Sequence, residues 1–174
     1  IPGTLGGAVV MNAGAYGGEI KDVLTSVEYL AADGNIVEVP AAELDLSYRH
    51  SIFEENGGCI LSATFRLKKG DAASIKARMD ELMQKRIDKQ PLDKPSAGST
   101  FKRPAGAFAA ALIDQCGLKG LTVGGAQVSE KHAGFLINRG GATFADMAEL
   151  IRQVQQRVLE ETGVTLEPEV KIVK

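Results

Sequence analysis

The sequence predicts an α+β protein in two parts, and three observations predict it. Residues 57–68 alternate apolar and polar side chains, the period of a half-buried strand. Residues 143–162 repeat apolar side chains every three and four positions, as an amphipathic helix does. Strand-like sequence gives way to helix-like sequence near Gly70, so the parts expected are 1–70 and 71–174. Of 174 residues 44% are hydrophobic, ample for a core, and a formal charge of −2 with both signs interspersed carries no nucleic-acid footprint. No apolar run is long enough to span a bilayer, so a cytoplasmic protein without membrane contact is expected. Cys59, in an apolar strand, and Cys116, near a helix end, read as buried thiols rather than a disulfide or metal pair.

The chain opens without Met, already inside the glycine-rich run Ile1-Pro2-Gly3-Thr4-Leu5-Gly6-Gly7, and is expected to be a fragment. The run continues to Gly18-Glu19. Its closely spaced glycines and alanines either leave backbone amides open to a flat or anionic ligand or let a helix pack tightly on a sheet. Neither G-x-G-x-x-G nor G-x-x-x-x-G-K-[ST] matches. From Asp22 to Val39 the pattern is a hairpin turning at Asp33-Gly34. Ser47-Tyr48-Arg49-His50-Ser51 then sets an arginine beside an aromatic. Arg49 stays charged and forks onto carboxylates, which suits an acidic substrate, or it is a surface cation stacked on Tyr48. In 57–68, Cys59, Leu61, Ala63, Phe65 and Leu67 share one face. Asp71 caps a helix whose stripe is Ile75, Met79, Leu82 and Met83, ending before Pro91.

The stretch Pro95 to Pro104 is expected to be a rigid, surface-reaching loop, because proline at each end fixes φ and donates no hydrogen bond. Either Ser99 serves there as a proton donor or nucleophile, with Lys102 and Arg103 as cations for an anion beside it, or the stretch is a solvated loop whose serine, lysine and arginine only face water. Phe108 to Cys116 is helical and stopped by Gly117; a short strand is expected around Gly124-Gly125. Lys131 and His132 lie in a polar turn and are candidates for a phosphate. Phe135 to Asn138 is a short strand. Thr143 with Asp146 resembles a capping box, and Phe144, Met147, Ile151, Val154 and Val158 form the stripe of the last helix. Val164 to Val173 reads as a strand interrupted by Pro168, with Glu169 at a stiffened position.

In order, I-P-G-T-L-G-G with N-A-G-A-Y-G-G-E, Y-R-H-S, P-S-A-G-S-T-F-K-R-P, G-G-A-Q-V-S-E-K-H-A-G-F and L-E-P-E-V-K resemble the UDP-N-acetylenolpyruvoylglucosamine reductase family over essentially the whole chain. The resemblance implies the remainder of an FAD-binding α+β subdomain of the PCMH/VAO type, 1–70, followed by an α+β substrate-binding domain, 71–174. It implies an FAD enzyme that takes hydride from NADPH and reduces the enolpyruvyl group of UDP-N-acetylglucosamine enolpyruvate to UDP-N-acetylmuramate for peptidoglycan synthesis. By the same resemblance Ser99 is the proton donor, Arg49 and Glu169 complete the catalytic set, and Gly7, Val10, Met11, Asn12 and Gly14 lie along the flavin, mostly through backbone. Tyr48, Lys102, Arg103, Lys131, His132 and Lys171 are the residues expected to hold the substrate. A monomer is expected.

Charge that develops only in the transition state is what fixed donors should meet, which explains an arginine at the substrate carboxylate. A serine is a weak acid, so Lys102 is the expected support for its alkoxide. Lys171 stands where many family members have arginine, keeping the charge and losing the fork. Tyr16, Tyr29 and Tyr48 are the only tyrosines, none of them in 71–174, and in this the chain resembles the family's shorter branch without a tyrosine-bearing loop. The family segment that grips the flavin pyrophosphate is missing from this sequence, so a colourless preparation without FAD is expected. Three alternatives compete: Ser99-Thr100-Phe101-Lys102 as the S-x-x-K of penicillin-binding enzymes, without S-D-N or K-T-G; a UDP-sugar-binding module without activity; and another flavoenzyme of the same fold.

Overall fold

The chain divides into two units, Ile1–Gly70 and Asp71–Lys174, in a computed structural model that describes residues 3–173. In the first, α1 (Leu5–Val10) leads into a miniature hairpin, β1 (Gly14–Ala15) and β2 (Gly18–Glu19). A three-stranded antiparallel sheet follows in the order β4-β3-β5, made of β3 (Leu24–Leu30), β4 (Ile36–Pro40) and β5 (Cys59–Phe65). The β3–β4 turn contains Asp33-Gly34 as expected, with Gly34 at φ +87° and Asp33 Oδ1 accepting from Asn35 N at 3.0 Å. Between β4 and β5 lies the one-turn helix α2 (Phe53–Asn56), whose Phe53 meets Tyr29 edge to face at 5.1 Å. Val9, Leu24, Val27, Leu44 and Phe53 form the core.

One strand departs from its alternation. Glu28 pairs with Ser62 and Tyr29 with Ile60, so Leu61 is the extra residue of a bulge and the inward face changes partway along β5. Ile60, Ala63 and Phe65 pack on the core, while Leu61 is half exposed and Cys59 is exposed. The Cys59 thiol is therefore not the buried group the alternation predicts.

The second unit opens with α3 (Ala72–Lys89), capped by Asp71, which accepts from Ser74 N at 2.8 Å. Its stripe Ile75, Met79 and Met83 is 49–61% exposed, and no residue of this helix is buried. A four-stranded antiparallel sheet runs β6-β9-β8-β7, from β6 (Ser96–Ser99), β7 (Thr122–Val123), β8 (Ala126–Val128) and β9 (Phe135–Asn138). Gly124-Gly125 is the turn of the β7–β8 hairpin rather than a strand. The helices α4 (Ala109–Gln115) and α5 (Phe144–Thr162) complete the unit.

Thr143 and Asp146 form the capping box, and Gly163 ends α5 in the left-handed region at φ +73°. Leu150, Val154 and Val158 are fully buried along it, each contributing roughly 1.5–3 kcal/mol of apolar transfer. They meet Phe101, Ile113, Leu118, Ala126, Val128, Leu136 and Leu166, with Cys116 partly buried at the edge of the same core. Phe144, expected in the stripe, is 68% exposed because it sits in the first turn, ahead of the packed face.

The proline-bounded stretch is not a loop. Its first half is the edge strand β6, where Pro95 and its missing donor cost no ladder bond, and the Pro95 carbonyl accepts from Asn138 N at 2.8 Å. Its second half crosses to the C-terminal segment through the Phe101–Pro168 bridge, so 164–173 supplies one short pairing and no regular strand.

Candidate active site

In the first unit the glycine-rich run folds into α1 and a turn. Thr4 caps α1, its hydroxyl oxygen accepting from Gly7 N at 3.2 Å. Tyr16 and Gly17, at φ +53° and +83°, form the two-residue turn between β1 and β2. Gly14 is required by that hairpin: a Cβ there would stand 2.6 Å from Glu19 Cγ and 3.0 Å from the Gly18 carbonyl oxygen. Gly7 is exposed, and Val10, Met11 and Gly14 are half-buried. Around Gly17 and Gly18 an added Cβ would meet nothing within 4 Å. The backbone is open to solvent at Gly17 and Gly18.

Asn12 faces the other way. It is 1% exposed and sits at φ +42° directly after α1, a position where asparagine is the usual substitute for glycine. Its Nδ2 donates to Glu19 Oε2 at 2.8 Å and to the Ser47 carbonyl at 3.0 Å, while its Oδ1 accepts from Lys21 N at 2.9 Å. The side chain is committed to the protein, and the backbone N–H donates to the Val9 carbonyl at 3.0 Å.

Ser47 and His50 exchange backbone hydrogen bonds at 3.2 and 3.3 Å, making Tyr48 and Arg49 the tip of a tight turn. Arg49 takes φ +56°, strained for a residue with a Cβ. Its guanidinium carbon lies 4.9 Å from the centre of the Tyr48 ring, and both side chains reach the surface. Glu19 is held below the usual carboxylate range by its hydrogen bonds from Lys21 and then Asn12, with smaller contributions from the charges of Lys21 and Arg49. His50 stands between Asp45 and Glu54, at 3.3 and 3.5 Å. A shallow recess of about 410 Å³ lined by Lys21, Ala41, Ala42, Asp45 and Leu46 contains none of the predicted residues.

In the second unit Ser99 ends β6, paired with Phe135. Gly98, at φ +88°, lies in the irregularity between the Ser96 and Ser99 pairings and lets the strand swing outward. Ser99 is exposed, and its hydroxyl has no hydrogen-bond partner among the described residues. The next residue holds the locus together. Thr100 is buried, donates its N–H to Gly134 O at 2.8 Å, accepts from Leu136 N at its hydroxyl, and receives Glu169 N at its carbonyl at 2.8 Å. Ser99 and Glu169 are thereby placed on neighbouring segments.

Lys102 donates its backbone N–H to Glu167 O, and its Nζ lies 2.7 Å from Glu167 Oε1. Arg103 lies over the Phe108 ring at 4.3 Å. Lys131 reaches the Ile87 carbonyl near the end of α3 at 2.6 Å, a position that favours a cation. His132 accepts from Gly134 N on Nδ1 at 3.1 Å and packs edge-on against Phe135. Burial, then the Lys119 charge, lower its pKa, so it is a neutral imidazole in the turn rather than a cation. Lys171 is exposed. Sequence reasoning missed Thr100 and Ser51; the latter is buried and its hydroxyl donates to the Val10 carbonyl at 2.5 Å. Nothing in the composition around either residue distinguishes it from the polar neighbours that face water.

Residues 1–40 match the family model of the FAD binding domain, and residues 90–173 match that of the UDP-N-acetylenolpyruvoylglucosamine reductase C-terminal domain. The chain thus joins part of an FAD-binding α+β fold to a second α+β domain. Proteins named UDP-N-acetylenolpyruvoylglucosamine reductase from Agathobacter rectalis and Pediococcus pentosaceus are 60% and 58% identical to it over 99% of this chain. The solved structure of UDP-N-acetylenolpyruvylglucosamine reductase from Thermus caldophilus matches 98% of the chain with a TM-score of 0.86 at 41% identity. The chain belongs to the UDP-N-acetylenolpyruvoylglucosamine reductase family. It spans about half the length of the curated relatives, 55% and 58% of these two, and 60% of the solved one.

Proposed function

We propose that the protein is a cytoplasmic, monomeric, NADPH-dependent flavoenzyme that reduces the enolpyruvyl group of UDP-N-acetylglucosamine enolpyruvate to give UDP-N-acetylmuramate. The observation that carries this reading is the Thr100–Glu169 pairing, which joins the serine and glutamate segments far apart in the sequence. FAD, when bound, supplies the hydride that NADPH provides. The glycine-rich run, through Gly7, Val10, Met11 and Gly14, would hold it.

The remaining chemistry belongs to side chains. Arg49 binds the substrate carboxylate and meets the negative charge that grows there as the methylene carbon gains hydride. Ser99 passes its hydroxyl proton to the adjacent carbon, which balances the addition of hydride and proton across the double bond. The resulting alkoxide regains its proton from solvent. Lys102, paired with Glu167, is the cation on the same segment as Ser99. Glu169 is a hydrogen-bonding partner for substrate. Arg103, Lys131 and Lys171 are exposed cations for the diphosphate, with Tyr48 beside the sugar. His132, being neutral, serves the turn instead.

The test is a split of the two half-reactions in the full-length protein. NADPH should bleach the flavin, and the enolpyruvyl sugar should restore its colour with one UDP-N-acetylmuramate formed per flavin. Failure of the sugar to reoxidise a flavin that NADPH has reduced overturns the assignment.

A further inference from the structure

Two buried polar contacts in the first unit have no place in the chemistry above. Asn12 Nδ2 bonds the Ser47 carbonyl, at the foot of the turn that presents Arg49, and Ser51 Oγ bonds the Val10 carbonyl from just beyond that turn. Both residues are essentially inaccessible, at 1% and 0% exposure. Each joins the α1 end of the glycine-rich run to one leg of the Ser47–His50 turn. The turn carries strain at Arg49, and a strained conformation persists only where its surroundings over-determine it. A further Asn12 contact, to Glu19, fixes a carboxylate that feels the Arg49 charge.

We infer that Asn12 and Ser51 are positioning residues for Arg49, a pair of braces that hold the guanidinium at a fixed height above the glycine-rich run. The inference rests on the functional reading given above, since that reading supplies the substrate carboxylate Arg49 must meet. Its physical content is that an arginine side chain has long, soft torsions, so fixing the base of the turn that carries it narrows where its guanidinium can reach. Displacement of about 1 Å at such a group costs on the order of a hundredfold in rate.

The experiment is a double-mutant cycle in the full-length protein. Asn12→Gly preserves the left-handed backbone and removes the carboxamide; Ser51→Ala removes one hydroxyl. Each should slow flavin reoxidation by the enolpyruvyl sugar by roughly ten- to a hundredfold, and Ser51→Ala should leave flavin reduction by NADPH within about twofold. In an Arg49→Ala background neither should slow it further. Losses that multiply with Arg49→Ala, as independent structural damage would, overturn the inference. Should Asn12→Gly fail to fold, Ser51→Ala decides alone.

A second readout does not depend on turnover. Carbon-13 titration of Glu19 should show its pKa rising in Ser51→Ala toward the Arg49→Ala value, because the guanidinium has moved; an unchanged Glu19 overturns the braces. If the unmodified protein reduces its flavin but never delivers hydride to the sugar, the functional reading falls instead, and the Glu19 titration still judges the braces.

Discussion

Glu169 donates its backbone N–H to the carbonyl of Thr100 at 2.8 Å, one residue beyond Ser99. The bond ties the last segment of the chain to the edge strand that ends in Ser99, and the Phe101–Pro168 bridge beside it fixes the register. Proline at 168 is compatible with this because its neighbours, Glu167 O and Glu169 N, make the hydrogen bonds.

If Ser99 donates the proton, Ser99→Ala should leave flavin reduction by NADPH intact and slow reoxidation by the enolpyruvyl sugar by about 10²- to 10⁴-fold. Stopped-flow absorbance separates the two steps. Equal loss in both steps would assign Ser99 to flavin binding instead.

Phe101 is 3% exposed, two residues from Ser99, and packs in the same core as Val154 and Leu166. Phe101→Ala should destabilise the second unit by about 3–5 kcal/mol in denaturant unfolding. A cost below about 1 kcal/mol would show that the pairing of 100–102 with 167–169 holds without its aromatic anchor.

Gly14 and Gly17 should respond differently to a side chain. Gly14→Ala drives Cβ into Glu19 Cγ and the Gly18 carbonyl and should cost about 1–3 kcal/mol. Gly17→Asn meets open space at a left-handed φ that asparagine tolerates, and should cost less than about 1 kcal/mol. Thermal melts of the two variants, compared directly, test the order.

His132 gives the second unit a pH dependence of known sign. Its pKa is lowered in the folded state from the ordinary 6.5, so the unfolded chain takes up the proton first. The stability it contributes is complete above about pH 6.5 and is lost as pH falls toward the folded value. His132→Asn, which keeps an acceptor for Gly134 N, should flatten that part of the stability curve between pH 7 and 5; an unaltered curve assigns the acid sensitivity elsewhere.

Much of this architecture is legible in the residues, because periodicity and caps are local. The Asp33-Gly34 turn, the Asp71 cap and the Thr143–Asp146 box all act within a few positions and are found where expected. What escapes is non-local. The bulge at Leu61 comes from how β3 and β5 pair, and it reverses the face on which Cys59 lies. Pro95 to Pro104 reads as a loop because its proline and glycine content resembles one, yet β9 and the Glu169 segment recruit it as an edge. The family motifs single out Arg49, Ser99 and Glu169. Thr100 and Ser51 carry no such mark, since their importance lies in partners 34 and 41 positions or more away. Lys102 is a related case: the sequence offers it to Ser99, three residues back, and the folded chain gives its ammonium to Glu167.

The helix α3 has a practical consequence. Its outer turns are laced with ion pairs, Lys76 to Asp80 and Glu81 to Arg78 and Lys85, whereas Ile75, Met79, Met83 and Ile87 stand bare along the other side. Such a ribbon is greasy enough to make molecules cling to each other as they are concentrated. Light-scattering at rising concentration, with and without a mild detergent, would expose that stickiness, and a serine or glutamate at Met79 or Met83 is the simplest remedy.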